Sequence, residues 1–506
     1  MSRTRFAYLA VASLVVAAIS LAPTAQSRPS AASTLVVSFT TAPDTLDPQK
    51  SPLNQTWPAW QLSYECLLKA TADGKINPQL ATSYRVDAAG LNYDFTLRLG
   101  VRFHNGALMT SADVVYTFDR LHTSGIPYAQ NRFPTLTSVT AQGPRVVRFT
   151  LSKPDPGFLL NMGDPFTVAC AILSNKAGKT EDLTTKMVGT GPFAMVSYAP
   201  TRQLKLKRFD QYWGNKANVA NLQIDYTPEA SAQLVALLAG KADLIFPDPS
   251  IVRPLKGASK TIKIGSVIAA TTLRVEFSAA KAPFNNVNVR RAVELAIDRP
   301  AAIRGAYLGY GGSAAHIPTG YPWAPPLKSY KYIGKHDVAG AKQLLAQAGY
   351  PNGFSTSYMY IAGNSPASDR FAQVLKSQLA AVGIDLTLDP VDTPTYLARL
   401  GKADYGLAFN QYPYFSDPLL YTNPRPSRNG PVPDAVQTLV DKARGSAKNA
   451  DYLQSIRDLS VSEDDQGFPN FVVASPTQFV AYRRNVTNVK LDFSISWLFL
   501  TKVIKH

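Results

Sequence analysis

Catalysis and metal binding need reactive side chains at fixed spacing, and this sequence offers few of them. Its five histidines are His104, His122, His316, His336 and His506, and none stands in an HExxH or His-x-His arrangement. The two cysteines, Cys66 and Cys170, lack the close spacing of a metal knuckle. Neither a resident metal nor a cofactor is expected. The stretch GTGP from Gly189 lacks the lysine and the serine or threonine of a phosphate loop, and GYGG at Gly309 to Gly312 lacks the third glycine of a dinucleotide fingerprint. Glu463, Asp464 and Asp465 are contiguous, so they read as a solvated run and not as the spaced carboxylate pair of a glycosidase. Binding without turnover is the expectation.

Chemistry of another kind resides in segments that are aromatic and polar without helical or strand periodicity. These are NQTWPAWQ with Trp57 and Trp60, IPYAQN with Tyr128, HIPTGYPWAPP with Tyr321 and Trp323, and YGLAFNQYPYFSDPLLY from Tyr405 to Tyr421. Aromatic faces of this sort stack on sugar rings or cover apolar side chains.

The elements around them are mixed. LVVSF from Leu35 reads as a buried strand, and YDFTLRL from Tyr93 alternates as a half-buried one. SADVVYTFDRL then places Val114, Val115, Phe118 and Leu121 on one helical face, with Ser111 as the expected cap. Strands follow at VRFTL, LKLKRF and LQIDY. Helices follow from Ser231, over Val289 to Ala296, over Val338 to Ala348 and over Ser368 to Val382, the last two ended by glycine. This alternation predicts an α/β fold.

Composition agrees with ordinary folded protein: 45% of residues are hydrophobic and 17% are charged. Two arginines, an apolar run from Phe6 to Leu21 and the small-residue stretch APTAQS form a secretory leader, residues 1–27, with cleavage expected after Ser27. Loss of Arg3 and Arg5 takes the formal charge from +17 to +15, a field that would draw acidic solutes. The basic residues are dispersed, so no nucleic-acid partner is expected. An oxidising compartment permits one Cys66–Cys170 bridge, and two buried free thiols are the plainer alternative.

The ordered segments TLDP at Thr45, YECLL at Tyr64, YDFTLRLGVRFHNGALMTSADVVYTFDRL at Tyr93, VGTGPF at Val188, RFDQYWG at Arg208, LLAGKADL at Leu237, PFNNVNVRRAVELAIDR at Pro283 and AKQLLAQAGYPNG at Ala341 resemble the family 5 extracellular solute-binding proteins (peptide/nickel/opine type) of bacterial ABC importers. The resemblance implies a type II periplasmic-binding fold, with two lobes, a hinge and an inserted third domain. By that analogy the first lobe combines residues 34–66, 186–276 and 485–506, the inserted domain is 67–185, and the second lobe is 277–484. The chain would cross near Val275 and Tyr482. The implied partners are a small-molecule ligand and the permease subunits, with the receptor itself a monomer in the periplasm. Rivals from other classes are an exported hydrolase on the same scaffold and a chaperone-like binder of polyanions or unfolded chains.

The resemblance also points to ligand-binding residues: Trp57, Tyr128, Trp323, Arg399, Tyr412 and Tyr414, with Arg370 near a second position where relatives place a carboxylate-binding arginine. In peptide-binding relatives a tryptophan and then an aspartate precede the Asp-Pro that matches Asp417-Pro418. Here those places hold Gln411 and Tyr414. A tyrosine offers no full charge to a peptide's ammonium, which puts an ordinary peptide ligand in doubt. Trp213, Trp497, Arg290 and Arg291 read as structural. N-terminal sequencing of periplasmic material should start between Gln26 and Ser30; a Met1 retained in membranes would refute the leader.

Overall fold

The structure, a computed structural model, describes residues 34–506 apart from 52, 54, 55, 72, 126, 165–168, 364, 414–416, 423–431, 447, 448 and 495. The expected leader lies outside the described residues. A twelve-stranded sheet runs through both lobes. In the first lobe Thr34–Phe39 lies parallel to Asn221–Tyr226 and to Leu244–Ile245, and Gln203–Arg208 and Phe193–Ala199 extend the sheet antiparallel to its edge. In the second lobe Phe354–Ile361 pairs in parallel with Ile384–Val391 and with Leu407–Tyr412, which runs antiparallel to Thr272–Phe277. Helices Val287–Leu295, Arg299–Tyr307 and Pro366–Ala380 supply apolar side chains to the core beside that second sheet.

One 14-residue strand, Asn470–Arg483, belongs to both lobes. Its first part pairs with Thr272–Phe277, and its second part pairs with Ile262–Ile268 and Leu244–Ile245. The exchange of partner falls between Ile268 and Thr272 on one side and between Ala474 and Thr477 on the other, where the ladder shifts register at Leu273/Arg274. Pro476, which has no N–H to give, stands at that break and faces Gly311. Val275 and Tyr482, near which the crossing is expected, are both ladder-paired and lie a few residues past this exchange of partner. By pairing, Thr272–Phe277 is a strand of the second lobe.

The inserted unit is a four-stranded antiparallel sheet in the order Ala81–Val86, Asn92–Leu97, Val146–Leu151, Leu136–Ala141. Helix Ser111–Ser124 seals it, burying Val114, Phe118 and Leu121 as the 3.6-residue period predicts. Its cap is Thr110, one residue before the expected Ser111, because the Asp113 carboxylate reaches back to accept the Thr110 N–H at 2.9 Å and completes a capping box. Arg120 of this helix pairs with Asp47 and donates to Gln49 Oε1 at 2.7 Å, which ties the TLDP segment of the first lobe to the insert.

Cys66 and Cys170 are bonded to each other, so the two-thiol alternative is set aside. Glu65 beside them is buried and accepts from Gln79 Nε2, Thr190 Oγ1, Tyr212 OH and Trp213 Nε1 at 2.8–3.2 Å. Trp213 thus serves this junction, with the Arg98 guanidinium 4.2 Å above its ring. The bridge spans 104 residues of sequence, and closing so long a loop restricts the unfolded chain. Replacing both cysteines with serine should cost about 2–4 kcal/mol of stability, read by urea unfolding of the oxidised wild type against the variant.

Candidate functional site

Thr272, Arg274 and Glu276 share one face of their strand, and Leu273, Val275 and Phe277 pack into the second lobe's core from the other. Arg274 is wholly buried. Its Nε donates to Thr272 Oγ1 at 3.0 Å, one terminal nitrogen donates to the Tyr421 carbonyl at 3.0 Å and to Asn470 Oδ1 at 3.2 Å, and the other reaches the His316 carbonyl. All of these acceptors are neutral. Burial pulls the guanidinium down from its ordinary pKa, opposed by Tyr412, Glu276, Glu463 and Tyr421.

The same guanidinium lies 4.1 Å from the centre of the Tyr412 ring and 6.0 Å from that of Tyr421. Glu276 Oε1 accepts the Tyr412 hydroxyl at 3.0 Å and Asn410 Nδ2 at 2.9 Å. Tyr421 in turn donates to the Ala270 carbonyl, in the crossing segment, at 3.3 Å, and its hydroxyl lies 3.1 Å from that of Tyr321. Tyr321 rests against Trp323 with ring centres 4.6 Å apart and meets Phe493 edge-on at 5.1 Å. Trp57, at the start of helix Trp57–Ser63, joins the same apolar cluster, which extends from the first lobe's sheet to the second lobe's helices. An aromatic wall therefore stands where the two lobes meet.

Asp417 marks another junction. Its buried carboxylate accepts Asn161 Nδ2 of the inserted unit at 3.1 Å, the Leu419 N–H at 3.1 Å and the Tyr452 hydroxyl. Burial pushes its pKa up to about 6, against the lowering effect of the Tyr452 hydrogen bond. Arg370, from the second lobe, faces Asp248 of the first at 4.0 Å and gives its Nε–H to the Ala306 carbonyl at 2.8 Å.

Residues 75–429 match the model of the bacterial extracellular solute-binding proteins, family 5 middle region. The chain belongs to this family. Such binding proteins take small ligands such as peptides, deliver them to ABC permeases and work outside the cytoplasm; the family is not one of enzymes. Heme-binding protein A of Haemophilus influenzae is 33% identical over 337 residues, 61% of either chain, so this chain spans about three fifths of that relative. The dipeptide-binding protein of Escherichia coli is 27% identical over 74% of this chain and 75% of its own. In three dimensions, the ABC transporter-associated periplasmic binding protein DppA from Helicobacter pylori, in complex with peptide STSA, superposes with a TM-score of 0.82 at 26% identity, covering 94% of this chain and 98% of its own. AgaA from A. tumefaciens R10, in complex with agropinic acid, shares the fold with a TM-score of 0.82 at 24% identity, covering 94% of this chain and 99% of its own. Among the described residues, no helix of this binding protein is long and apolar enough to cross a membrane.

Of the residues expected to bind, Trp57, Trp323 and Tyr412 are brought into one cluster, each with a sliver of surface left open. Tyr128 sits on the short helix Pro127–Gln130, and its side chain lies outside the description; Tyr414 lies outside the described residues altogether. Arg399 stands apart from that cluster. Its guanidinium is spent on Asp389 at 2.9 Å and on Asp404 at 3.4 Å, on a helix packed over a separate small cluster. Arg290 and Arg291 clamp backbone carbonyls of Phe284, Gly467 and Asp465, in keeping with a structural role. Arg274, Glu276 and Asn161 carry no expectation from sequence, and Tyr421 only that of closing the aromatic segment from Tyr405. Two charges set one residue apart in an otherwise apolar strand, LRVEF, were the available signal. Arg274→Met should cost about 3 kcal/mol or more in urea unfolding, because several buried acceptors lose their donor, whereas Arg399→Met should cost about 0–1 kcal/mol.

Proposed function

We propose that this chain is the periplasmic receptor of an ABC importer, a monomer that closes its lobes on a small solute lacking a free peptide ammonium, such as a modified peptide or an opine-like conjugate. The observation that carries the ligand class is the commitment of the nearby acids. Asp417, the carboxylate closest in sequence to the Tyr414 position, already accepts from Asn161, Leu419 and Tyr452, and Glu276 already accepts from Asn410 and Tyr412. An ammonium enclosed here would lose its water without gaining a free anion, and the missing charge-assisted bond is worth about 1.5–3 kcal/mol. Trp57, Trp323 and Tyr412 supply flat apolar faces, suited to the uncharged parts of such a solute. The relatives named above give this reading its frame: one binds a tetrapeptide, another agropinic acid.

Calorimetry with an unmodified dipeptide and its N-acetyl form decides the class. The acetylated form should bind about tenfold or more tightly than the free amine; tight binding of the free amine, lost on acetylation, would overturn the reading. Small-angle scattering with the tighter ligand should show a smaller radius at the mass of one chain, and a receptor recovers its ligand chemically unchanged, whereas a hydrolase would not.

A further inference from the structure

We propose that the Asp417 carboxyl is the latch of the closed receptor, fastening the second lobe to the inserted unit through Asn161. The inference rests on the two-lobe closure of the proposed function and adds to it the contact that holds the closed state. Asp417 belongs to the second lobe and Asn161 ends the Phe158–Asn161 helix of the inserted unit, 256 residues away in sequence. Any separation of the two bodies must break their 3.1 Å hydrogen bond. The other two donors to Asp417, the Leu419 N–H and the Tyr452 hydroxyl, come from the second lobe and would travel with it.

The opposing surface is shaped for this contact. Gly157 lies against Asp417, and a Cβ there would fall 2.4 Å from Oδ2. Its own backbone, φ −77 and ψ −17, is one that any residue adopts. Glycine is therefore needed at 157 for the approach of Asp417 and not for the local turn. The titratable groups facing the carboxyl are Asp155 from the inserted unit, which accepts from Thr135 Oγ1 and the Gly157 N–H, and Tyr452 from helix Asn449–Gln466. Among the described residues no basic side chain pairs with Asp417.

Burial at this contact raises the Asp417 pKa to about 6, and opening would expose the carboxyl to water and lower that value, with the Leu419 and Tyr452 hydrogen bonds kept. The closed form then binds the proton more tightly than the open form. Closure is accordingly weakest at neutral pH, where an unpaired carboxylate must be buried, and strengthens as pH falls through about 6. Between about pH 7.5 and about pH 5 the closed-to-open ratio should rise about tenfold.

The test needs no ligand. Spin labels on Ser138→Cys of the inserted unit and Lys442→Cys of the second lobe, both exposed sites, report the separation of the two bodies in the full mature chain. The short-distance population should grow by that factor on acidification. In Asp417→Asn, which keeps an acceptor but cannot titrate, it should stay constant with pH. In Gly157→Ala it should shrink at every pH with unfolding by urea unchanged. A wild-type distance distribution that ignores pH, or an Asp417→Asn variant that responds as the wild type does, would overturn the latch. Closure by scattering together with a flat pH response removes the latch alone, whereas absence of closure with every ligand removes the two-lobe reading beneath it.

Discussion

A guanidinium sealed from water governs the centre of this molecule. Arg274 keeps its charge, and desolvating it costs several kcal/mol unless its donors are all met. Meeting them fixes the carbonyls of Tyr421 and His316, the Asn470 amide and the Thr272 hydroxyl around one point. Those four groups lie on separate stretches of chain, so a single charge holds the strand, the loop before Tyr321 and the short Leu419–Thr422 helix in register. The aromatic wall is a consequence. Tyr412 is flattened against the guanidinium, and Tyr421 is turned so that its hydroxyl meets Tyr321 and Ala270.

That hydroxyl matters because Ala270 lies in the crossing segment. A β-ladder resists bending wherever its hydrogen bonds are continuous, so relative motion of the lobes concentrates where they are not. Here the change of partner falls at Ala269–Thr271 and at Ser475–Pro476, where only the short strand Gly311–Gly312 and the Ala269 N–H pair with the long strand among the described residues. Tyr421 touches the first of these, and Tyr321 touches Phe493, whose carbonyl accepts the Ala270 N–H at 2.9 Å. The wall that would face a solute and the strands that would bend thus share residues, which is what coupling of binding to closure requires of a structure.

Helices and strands with strong periodicity were legible in the sequence to within a residue or two, because an apolar stripe is a local record of burial. YDFTLRL became Asn92–Leu97, and AKQLLAQ fell within Val338–Gln347. Thr110 could have been read from Thr-x-x-Asp, a capping box as clear as the serine preferred in its place. The Asp404 partner of Arg399, five residues on, was available in the sequence, although the resemblance assigned Arg399 to the ligand. Those of Arg274 were not. Apart from Thr272, its hydrogen-bond acceptors lie 42 to 196 residues away, beyond the reach of any local pattern. The cysteine bridge was undecided for the same reason: two cysteines 104 residues apart fix neither distance nor pairing.

Two of the polar contacts that the second lobe makes with the other bodies differ in kind, and the difference bears on reopening. Arg370 and Asp248 form a loose pair at 4.0 Å, with the arginine side chain 30% exposed; contacts of this sort contribute about 0–1 kcal/mol. A short buried ion pair in the same place would hold the lobes far more strongly, since opening it would strand two charges during the motion. Asp417 occupies the middle ground. It is buried and well supplied with hydrogen bonds, yet it faces an amide and a hydroxyl instead of a cation, so its own desolvation subtracts from the bond it makes with Asn161. A receptor that must release its solute to a permease is served by a clasp whose gain and cost nearly cancel, because a modest differential affinity of the ligand for the closed form then suffices to move the population.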